Sequence, residues 1–250
     1  NDGRITKESL ARRLREKYKT IADIEDMAKE KSIPIYEAFE GTHIEDELLI
    51  LSPEKQYYLS LLVSSEKTPL EMSSALQHDG TLLKFLASVK DFALNILETW
   101  DIETLRESET TSAENETSVI LRGKVDGSGF ILTGDAGIGS LNRAIDYMEK
   151  IGENIVEDIS FYQVPHHGGR HNVSPSVLNR MLGEKIEKGN SRNKVAFASV
   201  AQNSSHPLKM VTNAYIRRGV TIYKTNGNVI CHHNGKMPDR RWVGLKSIEF

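Results

Sequence analysis

The sequence predicts an α/β or α+β fold in which helices pack over a sheet, and three observations carry that expectation. From residue 117 onward, short runs of β-branched and aromatic residues alternate with stretches whose apolar residues recur at helical spacing. Glycine, proline and small polar residues stand between the runs, where turns and helix caps need them. Finally, 250 residues with 38% hydrophobic and 27% charged side chains match an ordinary globular chain able to bury a sizeable core. Layered helix on sheet is the simplest architecture for such an alternation.

Taken in order, Thr20 with Asp23 resembles a helix start, followed at helical spacing by Ile21, Ile24, Met27 and Ala28. Ile33-Pro34-Ile35-Tyr36 reads as a strand, with Pro34 favouring its start or a sheet edge. Gly41 turns the chain, Glu47 to Leu51 is a second apolar run ending at Ser52-Pro53, and residues 54 to 64 read as a short helix. Residues 65 to 116 are read as a helical insertion and mobile loop, or as a hinge between two lobes. Leu82, Leu83, Phe85, Leu86, Val89, Phe92, Ala93, Ile96 and Leu97 recur at helical spacing, and 106 to 116 are rich in Glu, Ser and Thr.

Beyond the insertion, Ser118 to Arg122 and Gly129 to Leu132 predict two strands joined through Asp126-Gly127, a hairpin turn signal. Ser140 is placed as the cap of a helix stopping near Gly152. Asp158 to Val164 predicts a strand, Ser174-Pro175 to Gly183 a helix, and Val195 to Val200 a strand. His206-Pro207 is expected to open a helix closed by Gly219, and Thr221 to Lys224 to pair with Val229 to His232 across Asn226-Gly227-Asn228. The whole is read as a single domain over residues 1 to 250.

Charge and composition exclude several classes. A net charge of -3 argues against a generally basic nucleic-acid-binding face, and the single cysteine, Cys231, rules out an intramolecular disulfide. No apolar run approaches the roughly 18 to 20 residues that span a bilayer, and no signal pattern opens the chain, so a cytoplasmic protein without a membrane segment is expected. Oligomeric state is not legible. The basic opening (Lys7, Arg12, Arg13, Arg15, Lys17, Lys19) reads first as a solvated helix face and second as a contact to a phosphate backbone.

Chemistry concentrates at three strand exits: Asp135 after Phe130-Leu132, His166 and His167 after Ile159-Val164, and the Asn203 to His206 segment after Val195-Val200. Ligands of open α/β sheets gather outside the strand ends, and imidazole nitrogen with carboxylate oxygen suits zinc or manganese. The bland alternatives are that Asp135 is a turn former, that His206 merely precedes a helix, and that His171 lies in a surface loop. For Cys231-His232-His233, the alternation of a strand would send adjacent side chains to opposite faces, against a metal reading.

In order, the chain carries Asn115 to Arg122, Phe130-Ile131-Leu132-Thr133-Gly134-Asp135, Val164-Pro165-His166-His167-Gly168, Ser199 to Pro207 and Tyr223 to Gly227. This series resembles the second half of the metallo-β-lactamase-fold hydrolases, most closely the soluble domain of ComEC-type DNA-uptake proteins, over roughly residues 20 to 60 and 115 to 232. The resemblance implies a four-layer αββα sandwich and a metal-dependent hydrolase, phosphodiesterase- or nuclease-like, using metal-bound hydroxide as nucleophile. It implies metal ligands at Asp135 and at His166 or His167, catalytic roles for His206 and His167, and Asn115, Ser118 and Asn203 lining the substrate site. The complete fold would hold two divalent ions, zinc or manganese, and a nucleic acid or other phosphodiester as partner.

One departure matters. The family's first metal motif, His-x-His-x-Asp-His, is absent, and the nearest string, Thr42-His43-Ile44-Glu45-Asp46, has the wrong spacing and is expected to sit in a turn. Two expectations follow: the motif lies upstream of Asn1 and the amino-terminal part of the fold is missing, or the chain is a non-catalytic binding protein that lost it. The non-methionine start favours the former. Weak or absent metal binding is expected for this chain alone.

Overall fold

A computed structural model of the chain describes residues 7–65, 98–235 and 238–250. The expected helix over Leu82 to Leu97 lies outside them, apart from which the sheet-forming segments can be followed in order.

Among the described residues seven strands make one mixed sheet whose spatial order is the chain order. β1 (His43–Ile44), β2 (Leu48–Ser52), β3 (Ile120–Val125) and β4 (Ser128–Leu132) pair antiparallel. β5 (Ile159–Gln163), β6 (Lys194–Ala198) and β7 (Val220–Lys224) then add in parallel. Connection length explains the change of direction. Asp126 and Gly127, at φ 50° and 79°, close a two-residue hairpin between β3 and β4, whereas each later strand is reached through a helix, as a parallel neighbour requires.

The helices are α1 (Lys7–Lys17), α2 (Lys19–Glu30), α3 (Lys55–Ser64), α4 (Ala113–Glu116), α5 (Ile138–Lys150), α6 (Ile155–Asp158), α7 (Pro175–Leu182) and α8 (Lys209–Arg217). α5 packs on β2 and β3, α8 packs on β7, and α7 lies against both helices. Leu141, Ala144, Ile145 and Met148 of α5 recur at helical spacing and are all buried. They meet Leu49, Leu51, Ile131, Tyr162, Ala196 and Ile222 in one core. Each such buried aliphatic side chain contributes about 1.5–3 kcal/mol through removal from water.

The other sheet face is built differently. Phe161, Phe197 and Tyr223 touch edge to face along it, with centroids 5.0 and 5.8 Å apart, and His232 stacks on Phe161 at 4.9 Å. The chain after β7 therefore crosses this face instead of forming the expected strand over Val229 to His232. Its tail returns to the sheet edge, where the Ile248 amide donates to Ile222 O at 2.8 Å. The edge of β7 opposite β6 is thus already engaged, which explains why no hairpin forms there.

Four other expectations are corrected. Ile33 to Tyr36 is irregular and exposed, with no neighbouring strand among the described residues. Ser140 sits inside α5, whose N-cap is Gly137; its hydroxyl donates to Glu116 O at 2.5 Å, while the Glu116 carboxylate accepts from the Gly139 and Ser140 amides. The helix after Pro207 begins at Lys209 with Leu208 as its N-cap, and the His206–Pro207 bond is cis. The string Thr42 to Asp46 includes the exposed strand β1 rather than a turn alone.

Residues 98 to 116 run along the helical layer and are tied to it by carboxylates. Glu98 meets Arg217, Glu103 meets Arg218 and Lys185, and Glu107 accepts from Ser176. In the basic opening, Arg12 pairs with Glu16 and Arg15 with Glu25 and Asp26. No helix among the described residues is long and apolar enough to cross a membrane.

Candidate functional site

β4, β5 and β6 all end at one rim of the sheet, and each continues into a loop that carries a candidate group: Asp135, His166 with His167, and His206. Asp135 and His166 come together, with Oδ1 3.3 Å from Nδ1. That is ion-pair range, yet the two groups are not aligned for a hydrogen bond. His166 Nδ1 is buried and has no hydrogen-bond partner, although the ring itself is about one-third exposed. A ring nitrogen withdrawn from water with only a carboxylate oxygen before it is costly to leave so.

The histidine loop is strained. His166 and His167 occupy the left-handed region at φ 45° and 60°, a conformation costing roughly 1–2 kcal/mol for each such residue. Paired outliers of this kind cluster at functional sites. Gly168 follows at φ 88°, and a Cβ there would lie 2.4 Å from Pro207 Cβ. That close approach, with Leu208 N donating to Gly168 O at 3.1 Å, seats the His206 loop against the histidine loop.

His167 is turned to a different task. Its Nδ1 bonds Ser199 O; since a carbonyl only accepts, Nδ1 carries a proton, and Nε2 is the ring nitrogen left to face outward. The ring centroids of His166 and His167 are 5.7 Å apart. His206 faces both: burial first, then the charges of His167 and His166, hold its imidazole below the usual histidine range.

The remaining expected positions divide. Ser118 Oγ accepts from the Asp135 amide at 3.2 Å, so it supports the carboxylate loop from behind. Asn115 donates its side-chain amide to Thr111 Oγ1 at 2.6 Å, close to its own helix α4. Asn203 is exposed, at φ 61°, in the loop leading to His206. His171 pairs with Glu109 at 2.6 Å rather than with the three histidines. His232 lies on the aromatic sheet face, and Cys231 is exposed.

Two residues the sequence reading passed over take part. Gln163 Oε1 accepts from the Thr133 and Gly134 amides, and Asn172 Nδ2 donates to the Asp135 and Ala136 carbonyls. The available signal was slight: polar amides adjoining Val164-Pro165 and His171.

The donors can be tested against a cation. Two ligand atoms each about 2.1 Å from a tetrahedral ion stand roughly 3.4 Å apart, close to the Asp135–His166 separation. These two residues fit adjacent corners of such a site. Among the described residues no group of three or more His, Cys, Asp or Glu side chains is placed to hold an ion, so further corners are not supplied by them. No family profile, curated protein or solved structure matches the chain.

Proposed function

We propose that the protein is a metal-dependent hydrolase of the metallo-β-lactamase type, acting on a phosphodiester, with a four-layer sandwich as its complete fold. The observation that carries this reading is the Asp135–His166 pair, a carboxylate and an unpartnered buried imidazole nitrogen at 3.3 Å on neighbouring strand exits. Bound at such a site, a divalent cation would supply acidity to water (a pKa of about 7) and positive charge against the scissile group. Asp135 and His166 would hold that cation, zinc or manganese. His167, with Nδ1 fixed on Ser199 O, would present Nε2 for orienting the substrate or for metal contact. His206 would take up the proton released by the attacking water and pass it to the leaving oxygen; burial first, then His167 and His166, hold its imidazole below the usual histidine range.

The experiment is hydrolysis of bis(p-nitrophenyl) phosphate by the native protein in manganese or zinc, beside its measured metal content. Asp135→Ala and His166→Ala should each lower kcat/KM by at least roughly 100-fold, beyond the ~10–100-fold that losing a group behind a ligand costs. Unchanged turnover in both variants sinks the reading. A second reading, a binding protein that retains the fold without catalysis, is favoured by the two-donor set; stoichiometric phosphodiester binding without turnover or metal would establish it.

A further inference from the structure

The four-residue turn carrying Asp135 leaves none of its backbone polar groups unpaired. Thr133 N and Gly134 N donate to Gln163 Oε1 at 2.9 and 3.0 Å. Asp135 N donates to Ser118 Oγ at 3.2 Å, and Ala136 N donates to Thr133 O at 3.1 Å. On the acceptor side, Gly134 O takes the His166 amide at 3.0 Å, while Asp135 O and Ala136 O take the two hydrogens of Asn172 Nδ2 at 2.9 and 3.1 Å. Three side chains from separate segments, before β3, at the end of β5 and after the histidine loop, hold one turn.

We propose that Asn172, aided by Ser118 and Gln163, is a positioning residue that sets the Asp135 carboxylate against His166 for a shared cation, an inference resting on the metal reading above. Asn172 is 1% exposed, and it closes the same loop that His166 opens. That loop is therefore fastened to the Asp135 turn at both ends, by His166 N on Gly134 O and by Asn172 on Asp135 O. With the backbone of both partners fixed, only side-chain torsions remain to change the Asp135–His166 distance. Cation affinity responds to displacements of a few tenths of an ångström in that distance, because bond lengths are held within about 0.2 Å. Groups that orient ligands in this way typically cost about 10–100-fold in metal affinity when lost.

The test is a manganese titration of the whole chain, followed by paramagnetic broadening of the His166 ring proton resonances. Asn172→Asp keeps shape and removes both donated hydrogens. It should raise the manganese concentration at half-broadening by roughly 10–100-fold, with the amide spectrum unchanged away from residues 133–136 and 165–172. Placed on Asp135→Asn, the same substitution should add nothing further. If Asn172→Asp does not fold, Ser118→Ala, which removes the acceptor for the Asp135 amide, should shift half-broadening in the same direction. Equal half-broadening in folded Asn172→Asp and the unsubstituted chain overturns the positioning role and leaves the metal reading intact. Losses that multiply independently of Asp135 overturn it too, assigning Asn172 to the fold alone. No broadening in the unsubstituted chain overturns the metal reading and this inference together.

Discussion

Arg217 Nη1 lies 2.6 Å from Glu98 Oε1, with both side chains wholly buried. The pair joins the last turn of α8 to the beginning of the segment that crosses the helical layer. Arg217 also donates to the carbonyls of Thr99, Trp100 and Ile102, and its guanidinium stacks on Phe250 at 4.9 Å. All three guanidinium nitrogens are thus engaged, which offsets the cost of burying the charge.

Removing one partner strands the other. Glu98→Ala should destabilise the protein by about 3–5 kcal/mol, read from urea unfolding. Replacing both, as Glu98→Leu with Arg217→Met, should recover most of that loss. A change below about 1 kcal/mol for the single variant would show that water reaches the pair.

Gly168 gives a sharper steric test. Gly168→Ala meets both a φ of 88° and the Pro207 ring, 2.4 Å from the new Cβ. It should cost about 1–3 kcal/mol and displace the His206 loop, seen as a changed His206 ring chemical shift. An alanine variant with wild-type stability would mean the two loops are not in contact.

The two adjacent histidines should separate in their effects. His166→Ala removes the nitrogen facing Asp135 and should weaken manganese binding to the native protein by at least about 10-fold. His167→Ala leaves that nitrogen in place and should change affinity by less than about 3-fold. Calorimetric titration of both variants decides it, and the reverse order would reassign the ligand.

Acid should act through His206. Its folded-state pKa is depressed by burial and by His167 and His166, so the unfolded chain takes up the proton more readily. The stability this contributes is fully present above the unfolded value of about 6.5 and is lost as pH falls through the lower folded value. His206→Gln should therefore show a shallower decline of Tm between about pH 7 and pH 5. Parallel Tm profiles for the two proteins would exclude His206 as a source of the dependence.

The fold class was readable because its signals are local. Asp126-Gly127 makes its hairpin as expected, and α5 and α7 follow from apolar spacing and from Pro175 and Gly183. The approach of Asp135 to the His166-His167 loop was readable because each follows a strand that must be buried, so the chain can turn only beyond it; which of the two rings faces the carboxylate was not. What was not legible depended on distant partners. Asn226-Gly227 does turn, with Gly227 N on Val200 O at 2.9 Å, but Ile248 already holds Ile222 on the far edge of β7. Ser140 has the composition of a cap, yet Glu116 reaches the first amides of α5 from 24 residues upstream. Asn172 and Gln163 serve the backbone of a turn remote from them in sequence, and no motif marks such a role.

The amide of Ile248 on Ile222 has a consequence for how these molecules meet one another. An open strand edge offers unpaired backbone groups to any other extended chain and so invites stacking into aggregates. Here β7 is partly occupied by the tail, while β1 at the opposite margin is only two residues long. Among the described residues neither margin presents a long template, so the sheet discourages its own lateral growth while the loops at its strand tips keep Asp135 and His166 partly exposed.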